Sequence, residues 1–528
     1  MQRVKKCAKI SINNSRQKLE DGKMLSLAIR NTAKLVREKS KEENVRLGRL
    51  FTKKESAAFM AEMIELDKAK SSYTVLDPGA GTGILSAAVI ERICRECPEC
   101  KQIFVTAYEP RPEFYDMLTD NLERIRKKCR HDYDVRLYPT VYCENYLTES
   151  KNHYTVTFFD TVPDRYDIVI CNPPTDLTDK TSAEALAVGG ITQVRTSLAY
   201  LFLKLAKEHV DEAGQLVFVL PTTFATASAL TPLRRELKET LKIRRIHLFI
   251  GKGKNASRAV PLKSSFYVAL KKTEENPSVL ITTSLAEPKA GAVTTLPELD
   301  YDFVVDSADG SLTLPKSIED TKIVGYISTF PETLTSLGLK MSTGLVLDSR
   351  CEELLFTDSV PGTVPLIRPI AIKGGTVRFP LPIRKQYIAP KTTNIIQKNK
   401  NMIMVKRVPS GSDERFVNCG IYLAAQLPAY RYISTHNKIN YIDMKNPGEE
   451  MSARLVFGLF ALFNSTIYDR YISIVSKSKQ INSKEMRNLR LPPRNLIENI
   501  GMRLMETRQT SVAVCDQIVN PTLHIITK

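Results

Sequence analysis

Tyr73-Thr74-Val75-Leu76-Asp77-Pro78-Gly79-Ala80-Gly81-Thr82-Gly83 is the stretch on which the fold turns. A β-rich run enters a turn carrying Gly79, Gly81 and Gly83, and Ile84 to Cys94 then repeats apolar residues at helical spacing. Strand, glycine turn and helix in that order predict the opening unit of a nucleotide-type α/β fold. Glycine has no Cβ, so a ligand can come close to the backbone there. Many α/β turns carry glycines, and the weight therefore falls on the strands beyond this one.

Ile103 to Tyr108 reads as a second strand and ends in Glu109, one βα unit after the glycine turn. A carboxylate at that place can accept from ribose hydroxyls. Pro112 to Lys127 predicts a helix and Val135 to Tyr142 a third strand, followed by Glu144-Asn145-Tyr146-Leu147. Tyr166-Asp167-Ile168-Val169-Ile170-Cys171 is a buried strand ending at Asn172-Pro173-Pro174-Thr175. The two prolines fix φ and remove two N–H donors, so carbonyls of this turn are left to accept. An Asn amide oxygen beside a free carbonyl makes a two-acceptor clamp for an NH2 group. Leu198 to His209 predicts a helix, and Leu216 to Leu220 (ended by Pro221), Ile246 to Ile250 and Ser265 to Leu270 predict further strands. Up to about residue 275 the pattern is one of alternating βα units, a mostly parallel sheet covered on both faces.

Length and charge bound the rest. The chain has 528 residues, enough for two to four domains, with 76 Lys and Arg against 58 Asp and Glu, a formal charge of +18. That balance favours a polyanionic partner, most simply nucleic acid. No apolar run reaches membrane-spanning length, and Met1 to Asn14 lacks the apolar core of a signal peptide. Scattered cysteines suit a reducing cytoplasm. Cys94, Cys97 and Cys100 form a C-x2-C-x2-C run, with Cys129 or His131 as a conceivable fourth ligand, but a zinc site usually takes two separated pairs, and no metal is expected. Residues 1–46 predict a helical N-terminal extension anchored by Leu25, Leu27, Ile29 and Leu35; Thr52 and Glu55 predict a capping box. Residues 47–275 form the expected catalytic domain, 276–334 a linker or mixed region, and 335–528 a separate domain of short β-like runs ending in an apolar helix over Ala453 to Phe463. There, Lys385 to Arg407 is basic with Tyr387 and no acids, and Tyr430, Arg431, Tyr432, His436 and Lys438 follow. Basic side chains with interleaved aromatics suit phosphate and base contact.

Four motifs in order then match one family. Leu47-Gly48-x-x-Phe51-Thr52, Asp77 to Gly83, Glu109 and Asn172-Pro173-Pro174 resemble the γ-class amino-methyltransferases of DNA, and among them the adenine-N6 methylases of BsuBI/PstI-type restriction-modification systems. Asn464 to Tyr471, Gln480-Ile481-Asn482 and Leu489-Arg490-Leu491-Pro492 resemble that family's C-terminal recognition region, so the likeness covers most of residues 45–495.

The resemblance implies a Rossmann-like methyltransferase domain with a C-terminal α+β DNA-recognition domain. It implies S-adenosylmethionine as cofactor, double-stranded DNA as partner, and a cognate restriction endonuclease acting on the same site. By resemblance, Asp77, Pro78, Gly79, Ala80, Gly81 and Gly83 lie under the methionine part of the cofactor, Glu109 holds its ribose, Phe51 and Thr52 close over the methionine end, and Leu198 begins the helix beside it. Asn172, Pro173, Pro174 and Thr175 form the acceptor site, with Asn172 also near the cofactor. Because the target amino group is unreachable inside a duplex, the base must flip out. Two positions depart from the family. Thr175 stands where an aromatic usually stacks on the flipped base, leaving Phe224, Phe266 or Tyr267 as replacements. Asn145 stands where an acid usually accepts from the cofactor's adenine. The rival readings are a weak or inactive DNA-binding protein on this scaffold, and amino-methylation of cytosine, RNA or a protein glutamine.

Overall fold

The computed structural model describes residues 24–37, 51–150, 165–189, 195–251, 265–289, 291–408, 415–476 and 480–524. The motif residues Leu47 and Gly48 lie outside these. The chain divides into two compact units, Met1–Lys316 and Ser317–Lys528.

In chain order the first unit contains α1 (Met24–Arg37), α2 (Lys54–Glu62), β1 (Ser72–Asp77), α3 (Ile84–Glu96), β2 (Gln102–Tyr108), α4 (Pro112–Tyr133), β3 (Arg136–Tyr142) and α5 (Tyr146–Glu149). It continues with β4 (Tyr166–Cys171), β5 (Leu177–Thr178), α6 (Ala183–Val188), β6 (Thr196–Ser197), α7 (Leu198–Glu208), β7 (Val210–Pro221), α8 (Thr231–Thr240), β8 (Leu241–Phe249), β9 (Ser265–Lys272), β10 (Leu280–Ser284) and β11 (Val293–Thr295). The main sheet runs β11-β10-β8-β9-β7-β4-β1-β2-β3. Strands β3, β2, β1, β4 and β7 are parallel. Strand β9 is antiparallel to both of its neighbours, β7 and β8.

Strand periodicity explains why both faces are covered. Successive side chains point to opposite faces. Val75, Ile168 and Ile170 accordingly join one apolar cluster, with α1 to α4, while Leu76, Val169 and Cys171 join the other, with α7 and α8. A central parallel strand is buried on both sides and so reads as an unbroken apolar run, as Ile168 to Cys171 of β4 does. Helix α3 is buried around most of its circumference because α1 and α2 both pack on it. Helix α1, expected as an extension, is thus part of the sheet's cover. Of the stretch 276–334, expected as a linker or mixed region, residues 276–316 belong to the first unit, where they carry β10 and β11 and extend the sheet edge, and the rest belong to the second.

One local expectation changes. Thr52 is not a helix cap: α2 begins after Lys53, and its N-cap makes no side-chain hydrogen bond. The thiols of the C-x2-C-x2-C run are buried and face different partners. Cys94 lies 3.8 Å from Cys129 Sγ, Cys97 3.9 Å from the Tyr73 hydroxyl, and Cys100 3.4 Å from the Gln102 carbonyl. Among the described residues no group of three His, Cys, Asp or Glu is placed to hold a metal ion, and no helix is long and apolar enough to cross a membrane.

The second unit is α+β. It has a six-stranded and a five-stranded sheet, with helices Ala453–Asn464, Arg494–Thr507 and Val512–Thr522 packed on one another. The first two of these helices touch backbone to backbone. A Cβ added at Gly458 would stand 1.9 Å from the Ile497 carbonyl oxygen, and one at Gly501 1.9 Å from that of Arg454. Both positions therefore require glycine.

Candidate active site

In an open α/β sheet, ligands bind outside the carboxyl ends of the strands where the strand order reverses. Here that point is the end of β1, with β4 on one side and β2 on the other. The glycine turn sits there. Gly81 and Gly83 are left-handed, at φ 57° and 81°. A Cβ at Gly83 would lie 2.7 Å from Leu118 Cδ1, and one at Gly79 would lie 3.4 Å from Cys171 Sγ at the end of β4. The Phe51 ring lies 4.0 Å from where a Cβ of Gly81 would be, and packs edge-on against Phe114.

The turn is also held from α1 and α4. The hydroxyls of Thr32 and Thr82 share a hydrogen bond of 2.7 Å. Asn121 Nδ2 donates to the Thr82 carbonyl, and Asn31 Nδ2 donates to Asn121 Oδ1. Asp77 opens the turn fully buried. Ser86 Oγ donates to its Oδ2 at 2.7 Å, while Oδ1 has no partner. Burial, with nearby Glu109 adding to it, pushes the Asp77 carboxyl up to about 7, against the pull of the Ser86 hydrogen bonds.

Glu109 follows β2 with 2% of its surface exposed. Its carboxylate accepts from the Arg111 backbone N–H at 3.0 Å, from Nε at 2.7 Å and from Nη2 at 3.1 Å. The Arg111 guanidinium lies 4.0 Å over the Phe114 ring. Beyond β3, Asn145 caps α5: its Oδ1 accepts from the Leu147 N–H, and its Nδ2 donates to Glu184 Oε1 at 3.3 Å.

Asn172 leaves the end of β4 and donates from Nδ2 to the Thr52 hydroxyl at 3.1 Å. With the amide nitrogen so engaged, Oδ1 is the atom left to accept. Pro173 is buried, Pro174 half-buried and Thr175 exposed. Ser197 Oγ donates to the Thr175 carbonyl, and the Leu198 N–H, at the start of α7, donates to the Asp176 carbonyl. Those two bonds fix the turn to the N-terminus of α7, and Leu198 itself packs on the core cluster. Phe224, Phe266 and Tyr267 are all buried in the core, where their rings meet other rings. The apolar character that suggested them is the character of sheet interior.

The two ends of the sheet edge therefore differ in chemistry. Backbone free of side chains meets a half-buried amide at β1 and β4, and a buried carboxylate lies one strand along, at β2. That set of groups, with a carboxylate to accept from hydroxyls, fits a nucleoside-bearing cofactor. Thr32, Asn121, Arg111 and Glu184 are not singled out by the sequence. Only Arg111 carries a local signal, two residues past Glu109; the others reach the site across 39 to 50 positions.

In the second unit the motifs that resemble the family's C-terminal region are internal at their apolar and aromatic positions, while Thr466, Gln480, Asn482 and Arg490 are exposed. Tyr468 is buried, its hydroxyl donating to the Arg490 carbonyl. Asp469 accepts from the Val417 N–H, and Arg470 pairs with Asp320 and Glu319. Asn440 Nδ2 donates to the Ile481 carbonyl. Tyr387 is buried also, while Arg384, Lys391, Lys398, Arg431 and Lys438 are exposed. Arg431 stands over the Tyr432 ring, 5.6 Å from its centre.

The first unit has a Rossmann-like, doubly wound α/β fold, and residues 113–255 match the Eco57I restriction-modification methylase family. Over most of its length the chain is similar to two type II methyltransferases, which bears out the resemblance to the BsuBI/PstI type. It is 23% identical over 494 residues to M.PstI of Providencia stuartii, covering 91% of this chain and 94% of that one. It is 24% identical over 482 residues to M.BsuBI of Bacillus subtilis, covering 87% and 90%. Among solved structures, the type IIL restriction-modification enzyme MmeI in complex with DNA aligns at 12% identity over 98% of this chain and 76% of its own, with a TM-score of 0.46. A class I S-adenosylmethionine-dependent methyltransferase from Listeria monocytogenes aligns at 14% identity over 52% and 77%, with a TM-score of 0.39.

Proposed function

We propose that the chain transfers a methyl group from S-adenosylmethionine to adenine N6 in a short double-stranded DNA site, as the modification arm of a restriction-modification system. One observation carries this reading: Asn172 follows Cys171, which meets the glycine turn at the end of β4, and its amide nitrogen is held by Thr52. The exocyclic amine of adenine is a poor nucleophile, since its lone pair is delocalised into the ring. Asn172 Oδ1 and the Pro173 carbonyl accept from its two N–H groups and draw the nitrogen towards sp3 geometry. The cofactor, when bound, supplies an already activated methyl group, so positioning and electrostatics dominate over covalent catalysis. Thr52 keeps the acceptor oxygen, rather than the amide nitrogen, available. The basic second unit supplies the DNA contacts, through Arg384, Lys391, Lys398, Arg431 and Lys438.

Incubation with tritiated cofactor and unmethylated genomic DNA tests this directly. Label recovered as N6-methyladenine is the expected result. Label in methylcytosine refutes the adenine assignment, and DNA binding without label favours the reading of a non-transferring DNA-binding protein, which the exposed Thr175 keeps in play. Asn172→Ala is expected to lower the rate roughly 100- to 1000-fold, the range seen when one transition-state hydrogen bond is removed, with cofactor affinity retained. An unchanged rate refutes the clamp.

A further inference from the structure

We infer that Glu184, held in place by Asn145, is the acceptor for the 6-amino group of the cofactor's adenine ring. This rests on the methyltransferase reading and names the residue that reads the nucleobase. Along the sheet edge the strands run β4, β1, β2, β3. The acceptor amide stands at β4, the glycine turn at β1 and the carboxylate suited to ribose hydroxyls at β2. Neighbouring strands are about 4.8 Å apart, roughly the step from a ribose to its base. The base of a nucleoside whose ribose is on Glu109 therefore falls at the end of β3, where Asn145 stands.

Asn145 is poorly placed to read an amino group by itself. Its Oδ1 accepts from the Leu147 N–H as the cap of α5, and its Nδ2 points to Glu184. Both ends of the amide are engaged in a way that allows only one orientation. What Asn145 does is bring a carboxylate from 39 positions further on to the end of β3. An ionised carboxylate has about four acceptor positions, and this bond uses one. Among the described residues the Glu184 side chain makes its hydrogen bond to Asn145. An ordinary role for Glu184, an acid in the first turn of α6, explains neither the partner nor the place.

The test uses calorimetric binding of S-adenosylhomocysteine and of S-inosylhomocysteine to the full chain. The inosine analogue replaces the 6-amino donor with an oxygen, which a carboxylate repels. The wild type is expected to prefer the adenosine compound by about tenfold or more, the usual weight of a hydrogen bond to a charged group. Glu184→Gln is expected to narrow that preference by about tenfold, because an amide can turn its NH2 to the oxygen. Asn145→Ala, which releases Glu184, is expected to narrow it also. A purely structural role moves both affinities together and leaves the ratio alone, so an unchanged ratio in Glu184→Gln overturns the assignment while leaving the methyltransferase reading standing. Failure of the wild type to bind either compound overturns that reading, and this inference with it.

Discussion

Asp77→Asn probes the most unfavourable group in the site. The Asp77 carboxyl is fully buried, and burial raises it from an ordinary 3.8 to about 7. Below pH 3.8 the group is protonated in both the folded and the unfolded chain and contributes no pH dependence. Between 3.8 and about 7 the fold holds a proton that the unfolded chain has released, so stability falls as pH rises through this window. Each tenfold change in proton affinity is about 1.4 kcal/mol, so the rise from 3.8 to about 7 costs at most about 4 kcal/mol above pH 7. Asparagine keeps the shape and removes the charge. Its amide must still find partners where Asp77 Oδ1 has none, a cost of about 1–3 kcal/mol. Asp77→Asn is therefore expected to be more stable than the wild type at pH 8 by about 1–3 kcal/mol, and less stable by a similar amount at pH 4. Urea denaturation of the full chain across that range measures the crossover. A difference infrared titration, wild type minus variant, reads the same proton directly as a buried protonated carboxyl at pH 5. If the variant keeps the wild-type dependence on pH, or the infrared band is missing, the reasoning about Asp77 is wrong.

Two further outcomes test the rest of the site. Gly83→Ala puts a Cβ on a residue at φ 81° and 2.7 Å from Leu118. The left-handed conformation costs about 1–2 kcal/mol and overpacking about 1–3 kcal/mol, so the urea midpoint is expected to fall and S-adenosylhomocysteine to bind more weakly; wild-type stability would show that the turn does not have this geometry. Arg111→Ala uncovers the Glu109 carboxylate. A pair with an arginine side chain 44% exposed is worth about 0–1 kcal/mol, so cofactor affinity is expected to be unchanged or up to about fivefold tighter at low salt, and a tenfold loss would make Arg111 a ligand contact instead of a competitor.

Local chemistry is readable from the chain, and pairings over distance are not. The glycine turn, Glu109 and Asn172-Pro173-Pro174 are short, and each stands at the end of the strand that precedes it, because the strand pattern and the turn residues are adjacent in sequence. The direction of β9 is not readable: Ser265 to Lys272 has the same apolar run whether it enters the sheet parallel or antiparallel. Thr52 reads as a cap because capping residues and hydrogen-bonding site residues are the same small polar types; only the approach of Asn172 distinguishes them. Phe224, Phe266 and Tyr267 are candidate stacking rings by residue type alone, and residue type cannot separate a ring in a pocket from a ring in a core. Asn145 reads as a weakened acceptor, since nothing in its neighbourhood announces Glu184. The second unit's most recognisable motif, Asn464 to Tyr471, serves internal packing, while its exposed basic residues are spread over short strands and loops that carry no pattern.

The threonine pair between α1 and the glycine turn has a thermodynamic consequence. Thr82 is tied to Thr32 through its hydroxyl and to Asn121 through its carbonyl, so the turn and the N-terminal helix share one set of bonds. Whatever orders the turn must, by reciprocity, disfavour the opening of residues 24–37 by the same factor. Occupancy at the end of β1 is then written into amide exchange some fifty residues earlier in the chain, and a lesion in α1 would present itself as a defect in cofactor affinity with the acceptor amide untouched.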